Sequence, residues 1–278
     1  MSPTPPPTIT PTRALSGPTL EPSPTTDVRP PTAVLAEDQI LGGPGQNIPE
    51  AAALAPDSAL PPVPMGTPGA TAGSQRIQLV MADGAMLSGD LYQNISTQIE
   101  TTTPQPLPRY SGVLLLGVSL AEWGDFPARL RDAGYTVLAM EIRSGGGTAD
   151  FSVMLRALSE TATVNPALLA VIGAGEGANL ALQGCAVDLL CDTAILLTPT
   201  QRDVLSSAMS GYNPRSLLIA FSAQDTAAVD TARALQLVGT GDVRLEPSSA
   251  AGSGAALLFA APDLTGTIGL WLAETLVE

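Results

Sequence analysis

The chain has 278 residues and a net charge of −14, with 26 acidic side chains against 12 basic ones. Every basic residue is an arginine, so the chain has no histidine and no lysine. That excludes a basic nucleic-acid-binding face, imidazole ligands or general bases, and any lysine Schiff base.

Residues 1–74 hold 17 of the 26 prolines and no aromatic residue. Such a stretch cannot bury enough apolar surface to offset its ordering entropy, so a disordered, semi-extended Pro/Thr-rich tether is expected. Residues 75–278 are long enough for one domain with its own core. No run of about 18 apolar residues is present to cross a membrane.

Arg76–Met81 and Ala85–Tyr92 read as two alternating strands closed by the Asp83-Gly84 turn. A polar loop is expected over 96–110. Short, continuous apolar runs follow at Val113–Leu116, Tyr135–Met140, Leu168–Ile172, Thr193–Thr198 and Ser216–Phe221, with a last strand at Val243–Glu246. These suit parallel strands covered on both faces. Helical patterns lie between them, over 121–133, 149–160, 176–186, 203–210 and 226–237. Leu264, Ile268, Trp271 and Leu272 mark a final helix by their spacing. Strand–helix alternation of this kind implies a doubly wound, mostly parallel α/β sheet.

Cys185 and Cys191 are the only cysteines. They read either as a short disulfide loop, in an oxidising compartment, or as two small buried apolar side chains. With so few soft ligands and no imidazole, no metal and no cofactor are expected.

The run Val171-Ile-Gly-Ala-Gly-Glu-Gly-Ala-Asn-Leu-Ala-Leu182 passes from strand through a glycine-rich turn into a helix. Together with the motifs around it, it resembles the α/β-hydrolase family, in the dienelactone-hydrolase-like and short-esterase branch. The likeness covers about residues 76–278. Leu114-Leu-Leu-Gly117 resembles the strand ending in His-Gly, with Leu116 at the histidine place. Gly134–Arg143 resembles the Gly-Tyr-x-Val-Leu-x-x-Asp-x-Arg segment, with Glu141 for the aspartate, and Ser144-Gly-Gly-Gly147 stands for Gly-His-Gly. Leu217–Asp225 resembles the strand that delivers the triad acid. Gly252–Ala256 resembles the loop that carries the catalytic histidine.

The resemblance implies triad positions at Gly175, Asp225 and Ala255, of which only the acid has a side chain able to act. The nucleophile and the base of Ser-His-Asp chemistry are absent. The resemblance also implies an oxyanion-hole-like pair of backbone N–H groups at Glu176 and Val118. Glycine at 175 relieves the strain of the elbow turn, which ordinarily costs about 1–3 kcal/mol.

Other readings compete. Gly173-x-Gly175-x-x-Ala178 also fits a dinucleotide-binding loop, but the next strand ends in Leu196-Leu-Thr-Pro199 without the acidic residue that reading needs. Glu176, with Asp225 or Glu141, forms a possible acid/base set; the plainer reading is an acid at a helix N-terminus and, for Asp225, a helix cap. Ser111, Ser144, Ser152 and Ser222 are the displaced hydroxyls that lack any base. Arg143 and Arg202 read as ion-pairing residues or as partners of a ligand carboxylate.

The sequence therefore leads to the expectation of a catalytically degenerate hydrolase-fold domain that binds a small ligand or a protein partner, or scaffolds. The alternative is an active hydrolase working through Glu176 and Asp225. Acidity argues against nucleic acid as a partner. The opening Met1-Ser-Pro-Thr-Pro-Pro-Pro resembles the residues that follow a bacterial lipoprotein's acylated cysteine. This implies an extracytoplasmic, lipid-anchored or secreted protein, with a cytoplasmic protein carrying a disordered arm as the alternative.

Overall fold

Asp83 and Gly84 close the first hairpin of the computed structural model, which describes residues 73–93 and 109–277. All but the last two residues of the expected tether and most of the 96–110 loop lie outside those residues. Gly84 adopts φ 83°, and the Asp83 carboxylate accepts the Ala85 N–H at 3.0 Å. The turn joins β1 (Gln75–Val80) to β2 (Met86–Tyr92) as an antiparallel pair.

The rest of the described chain alternates. Strand β3 (Tyr110–Gly117) leads through a 3-10 turn at Leu120–Trp123 to helix α1 (Phe126–Asp132) and β4 (Thr136–Glu141). Then come α2 (Thr148–Ser159), β5 (Val164–Ala174), α3 (Glu176–Val187), β6 (Thr193–Leu197), α4 (Arg202–Tyr212), β7 (Ser216–Ser222), α5 (Thr226–Val238) and β8 (Val243–Ser248). Two helices end the fold, α6 (Ala256–Ala260) and α7 (Asp263–Thr275).

The eight strands form one sheet in the order β1-β2-β4-β3-β5-β6-β7-β8. The β1–β2 and β2–β4 pairs are antiparallel, and every other pair is parallel. Alternate side chains of each strand feed opposite layers. Leu114 and Leu116 of β3 join a core with Phe151, Met154, Leu182, Leu205, Met209 and Leu235, under α2 to α5. Val113 and Leu115 join a second core with Trp123, Phe126, Leu264, Ile268 and Trp271, under α1, α6 and α7. Both faces are covered, which is why the strands read as unbroken apolar runs.

The single helix expected over 121–133 is in fact two pieces. Gly124 at φ 53° breaks the backbone between them, and Pro127 sits in the first turn of α1. Ser119 and Glu122 form a capping box on the 3-10 turn. Tyr110, expected in the loop, opens β3. Helix α6 has no counterpart among the expected elements, because the apolar run Ala256–Ala260 is too short to show a period.

A disulfide joins Cys185 of α3 to Cys191. Arg215 donates to the carbonyls of Asp188 (3.1 Å) and Cys191 (2.8 Å) and lies over the Tyr212 ring. The C-terminal end of α3 is thereby fixed to the start of β6.

Candidate functional site

In a doubly wound sheet, ligands sit beyond the carboxyl ends of the strands, where the strand order reverses. Here that point is β3, with β4 on one side and β5 on the other. A cleft of about 440 Å³ opens there. Its walls come from Val118 after β3, residues 142–147 after β4, Glu176, Asn179, Leu180 and Gln183 of α3, and Gln201 before α4.

The β5–α3 turn forms one edge of this region. Gly175 has φ 55° and ψ −114°, and its N–H donates to the Leu197 carbonyl at 2.9 Å. A side chain there would meet nothing within 4 Å, so only the backbone conformation opposes one. The flanking glycines obey the opposite constraint. A Cβ at Gly173 would collide with the Gly177 carbonyl and the Ala178 Cα, and one at Gly177 with the Leu116 carbonyl. Helix α3 can therefore pack closely against β5 and β3 only with glycine at both places. The sharp strand–turn–helix of an elbow is present, with its apex facing open space.

The loop after β8 reaches the same apex. The N–H of Gly254 donates to the Thr198 hydroxyl at 3.0 Å, and a Cβ at 254 would lie 3.5 Å from the Gly175 nitrogen. Thr198 is fully buried and has φ 57°, the one non-glycine residue with positive φ among those described. A β-branched residue there is strained, and its hydrogen bonds at both ends hold it: its N–H donates to the Ala220 carbonyl at 2.8 Å. Nothing in the local sequence signals this residue. Ala255 is buried in the second core and caps α6. The residue of this loop that stands beside the elbow is Gly254.

The candidate acids are mostly committed. Asp225 accepts the Ala228 N–H at 3.1 Å and caps α5. Glu141 accepts the Leu120 N–H at 3.2 Å. Glu176 is exposed, opens α3 and lines the cleft. Of the two oxyanion-hole-like amides, that of Glu176 is the first of the helix and has no partner within it. The other side is filled. The Glu122 carboxylate lies over Gly117, where a Cβ would collide with it, and accepts the Ser119 N–H at 3.4 Å. Burial raises the Glu122 pKa, and the Ser119 and Val118 amides oppose that rise. The Ser119 amide is thus engaged by a half-buried carboxylate of its own loop.

Arg143 holds the loop after β4 in place. Its Nε and a terminal nitrogen donate to the nearly buried Asp150 at 2.7 and 3.0 Å, and another nitrogen lies 2.7 Å from Asp83 in the hairpin turn. The hydrogen bond from Arg143 and, after it, the Ala85 N–H lower the Asp83 pKa. Ser144 lines the cleft and is exposed; Ser222 is buried and accepts the Gln224 N–H. Ser152 lines a separate depression on α2, and Ser111 lies within β3. Arg202 is exposed at the start of α4. Among the described residues no group of three potential metal ligands comes together.

Asn179, Gln183 and Gln201 had no sequence signal, and the fold brings them together. Asn179 is buried and accepts the N–H groups of Thr200 and Gln201 at 3.1 and 3.3 Å. Gln183 donates to the Asn179 carbonyl at 3.0 Å.

Neither a protein-family model nor a curated protein matches the sequence. Solved structures do match the fold. An α/β hydrolase from Penicillium sp. is 13% identical with a TM-score of 0.60, over 73% of this chain and 99% of that one. An esterase of Pyrococcus furiosus is 14% identical with a TM-score of 0.57, over 73% and 91%. The esterase domain of a Rhodothermus marinus protein is 14% identical with a TM-score of 0.58, over 73% and 100%. At these identities the likeness is one of fold: the described residues adopt the α/β-hydrolase fold.

Proposed function

We propose that this α/β-hydrolase-fold domain is catalytically silent and binds a small ligand in the cleft between α3 and the 142–147 loop. The observation that carries the reading is Gly175: the elbow apex has the backbone of a nucleophile position and no side chain. Acyl transfer through such an elbow needs a nucleophile and a base to take its proton. The chain has no histidine or lysine to act as base. Glu122 also engages the Ser119 amide, next to the Val118 amide that the resemblance gives to an oxyanion hole. Asp225, as a helix cap, has lost the role of orienting an imidazole.

The Cys185–Cys191 disulfide supports an oxidising, extracytoplasmic setting. A lipid-anchored or secreted protein fits that setting and the Pro/Thr-rich N-terminal sequence.

The test is hydrolysis of p-nitrophenyl acetate and butyrate by the purified full chain, beside Glu176→Gln. The expected result is no rate above the buffer for either protein. A wild-type rate well above the buffer that Glu176→Gln abolishes would establish the rival reading, hydrolysis through an acidic group.

A further inference from the structure

Resting on the reading of the cleft as a ligand site, we infer that its ligand is a small primary or secondary alkylammonium, and neither an anion nor a neutral ester. The one cation that lines the cleft, Arg143, is already spent on Asp150 and Asp83. An incoming carboxylate or phosphate would have to compete with both acids for it. The anionic group Glu176 is exposed at the cleft wall and forms no ion pair among the described residues.

The neutral polar groups point the same way. Gln183 uses its Nε2 on the Asn179 carbonyl, which leaves its Oε1 as an acceptor. Asn179 holds the backbone at Thr200 and Gln201, and so sets the Gln201 side chain at the cleft. Carboxylate and amide oxygens together recognise an N–H-bearing cation by charge-assisted hydrogen bonds. No aromatic residue lines the cleft, so it cannot form the cage that a quaternary ammonium needs. Val118, Ile142 and Leu180 supply apolar surface for a short alkyl chain, and the volume of about 440 Å³ suits a small molecule. The net charge of −14 raises the local concentration of cations.

The experiment is a 1H–15N chemical-shift titration of the full chain with n-hexylammonium, n-hexanol and hexanoate, repeated on Glu176→Gln. Hexylammonium is expected to move the amides of Gly145, Gly146, Gly147 and Gln183 saturably, with hexanoate leaving them unmoved. Glu176→Gln is expected to weaken hexylammonium by about tenfold or more, the loss of a charged hydrogen bond. Equal binding of hexanol, or undiminished binding to Glu176→Gln, overturns the ammonium class while leaving the cleft as a site. No saturable shift with any of the three compounds overturns the ligand class and the ligand site together. Catalytic silence is decided separately, by the ester assay.

Discussion

The turn after β5 and the turn after β3 leave neighbouring parallel strands in the same direction, but they are built on different constraints. In the first, Gly173 and Gly177 are fixed by contact: backbone atoms of α3 and β3 occupy the places where side chains would stand. Gly175 between them is fixed only by its positive φ, and faces open space. In the second, the space beside Gly117 is filled by Glu122 and Trp123. The elbow has no side chain at its apex, and the loop opposite satisfies the Ser119 amide from within, with Glu122. Packing alone can therefore maintain the form of a catalytic turn, because two of its three glycines serve helix–sheet contact and not chemistry.

The largest effect should come from the contact-fixed glycines. Gly177→Ala places a methyl group on the Leu116 carbonyl, and overpacking against backbone is expected to cost about 3 kcal/mol, read as a lower denaturant midpoint. Gly175→Ser should cost less, about 1–2 kcal/mol, since it meets strain without collision. If Gly175→Ser proved the more damaging, the contrast between contact and conformation would fail. Thr198→Val should fall in a similar range, about 1–2 kcal/mol, because it leaves the buried Gly254 N–H without its acceptor.

Two smaller effects depend on pH. Arg143 lowers the Asp83 pKa, so the stability Asp83 contributes is complete above the ordinary carboxylate pKa and is lost as pH falls through the lowered one. Arg143→Met should flatten that acid limb in thermal unfolding measured across acidic pH. Glu122 has the opposite sign. Its raised pKa means its contribution is complete at low pH and is lost as pH rises through the folded-state value. Glu122→Gln retains the capping-box geometry and should raise Tm slightly near neutral pH, with no gain in acid.

Much of the fold was legible in the sequence because local rules encode it. The Asp83-Gly84 hairpin, the apolar strands and the Gly173–Gly177 turn each combine a periodicity with a glycine that the backbone requires. What escaped depends on contacts distant in sequence. Nothing near Thr198 signals its positive φ, since the Ala220 carbonyl and the Gly254 N–H that hold it lie in later elements. Nothing in the sequence sets Glu122 apart, because the room for its carboxylate is made by Gly117 in the preceding strand. The family resemblance put the histidine place at Ala255, whereas folding turns that residue into the core and brings Gly254 to the elbow. Gln183 and Gln201 line one cleft because Asn179 joins α3 to the segment after β6.

The most direct test of a silent elbow is to treat the native full chain with a fluorophosphonate, which captures activated serines, and to weigh the intact protein. The expected result is an unchanged mass. One stoichiometric adduct, on Ser144 or another of the displaced serines and lost when the chain is unfolded before treatment, would contradict it.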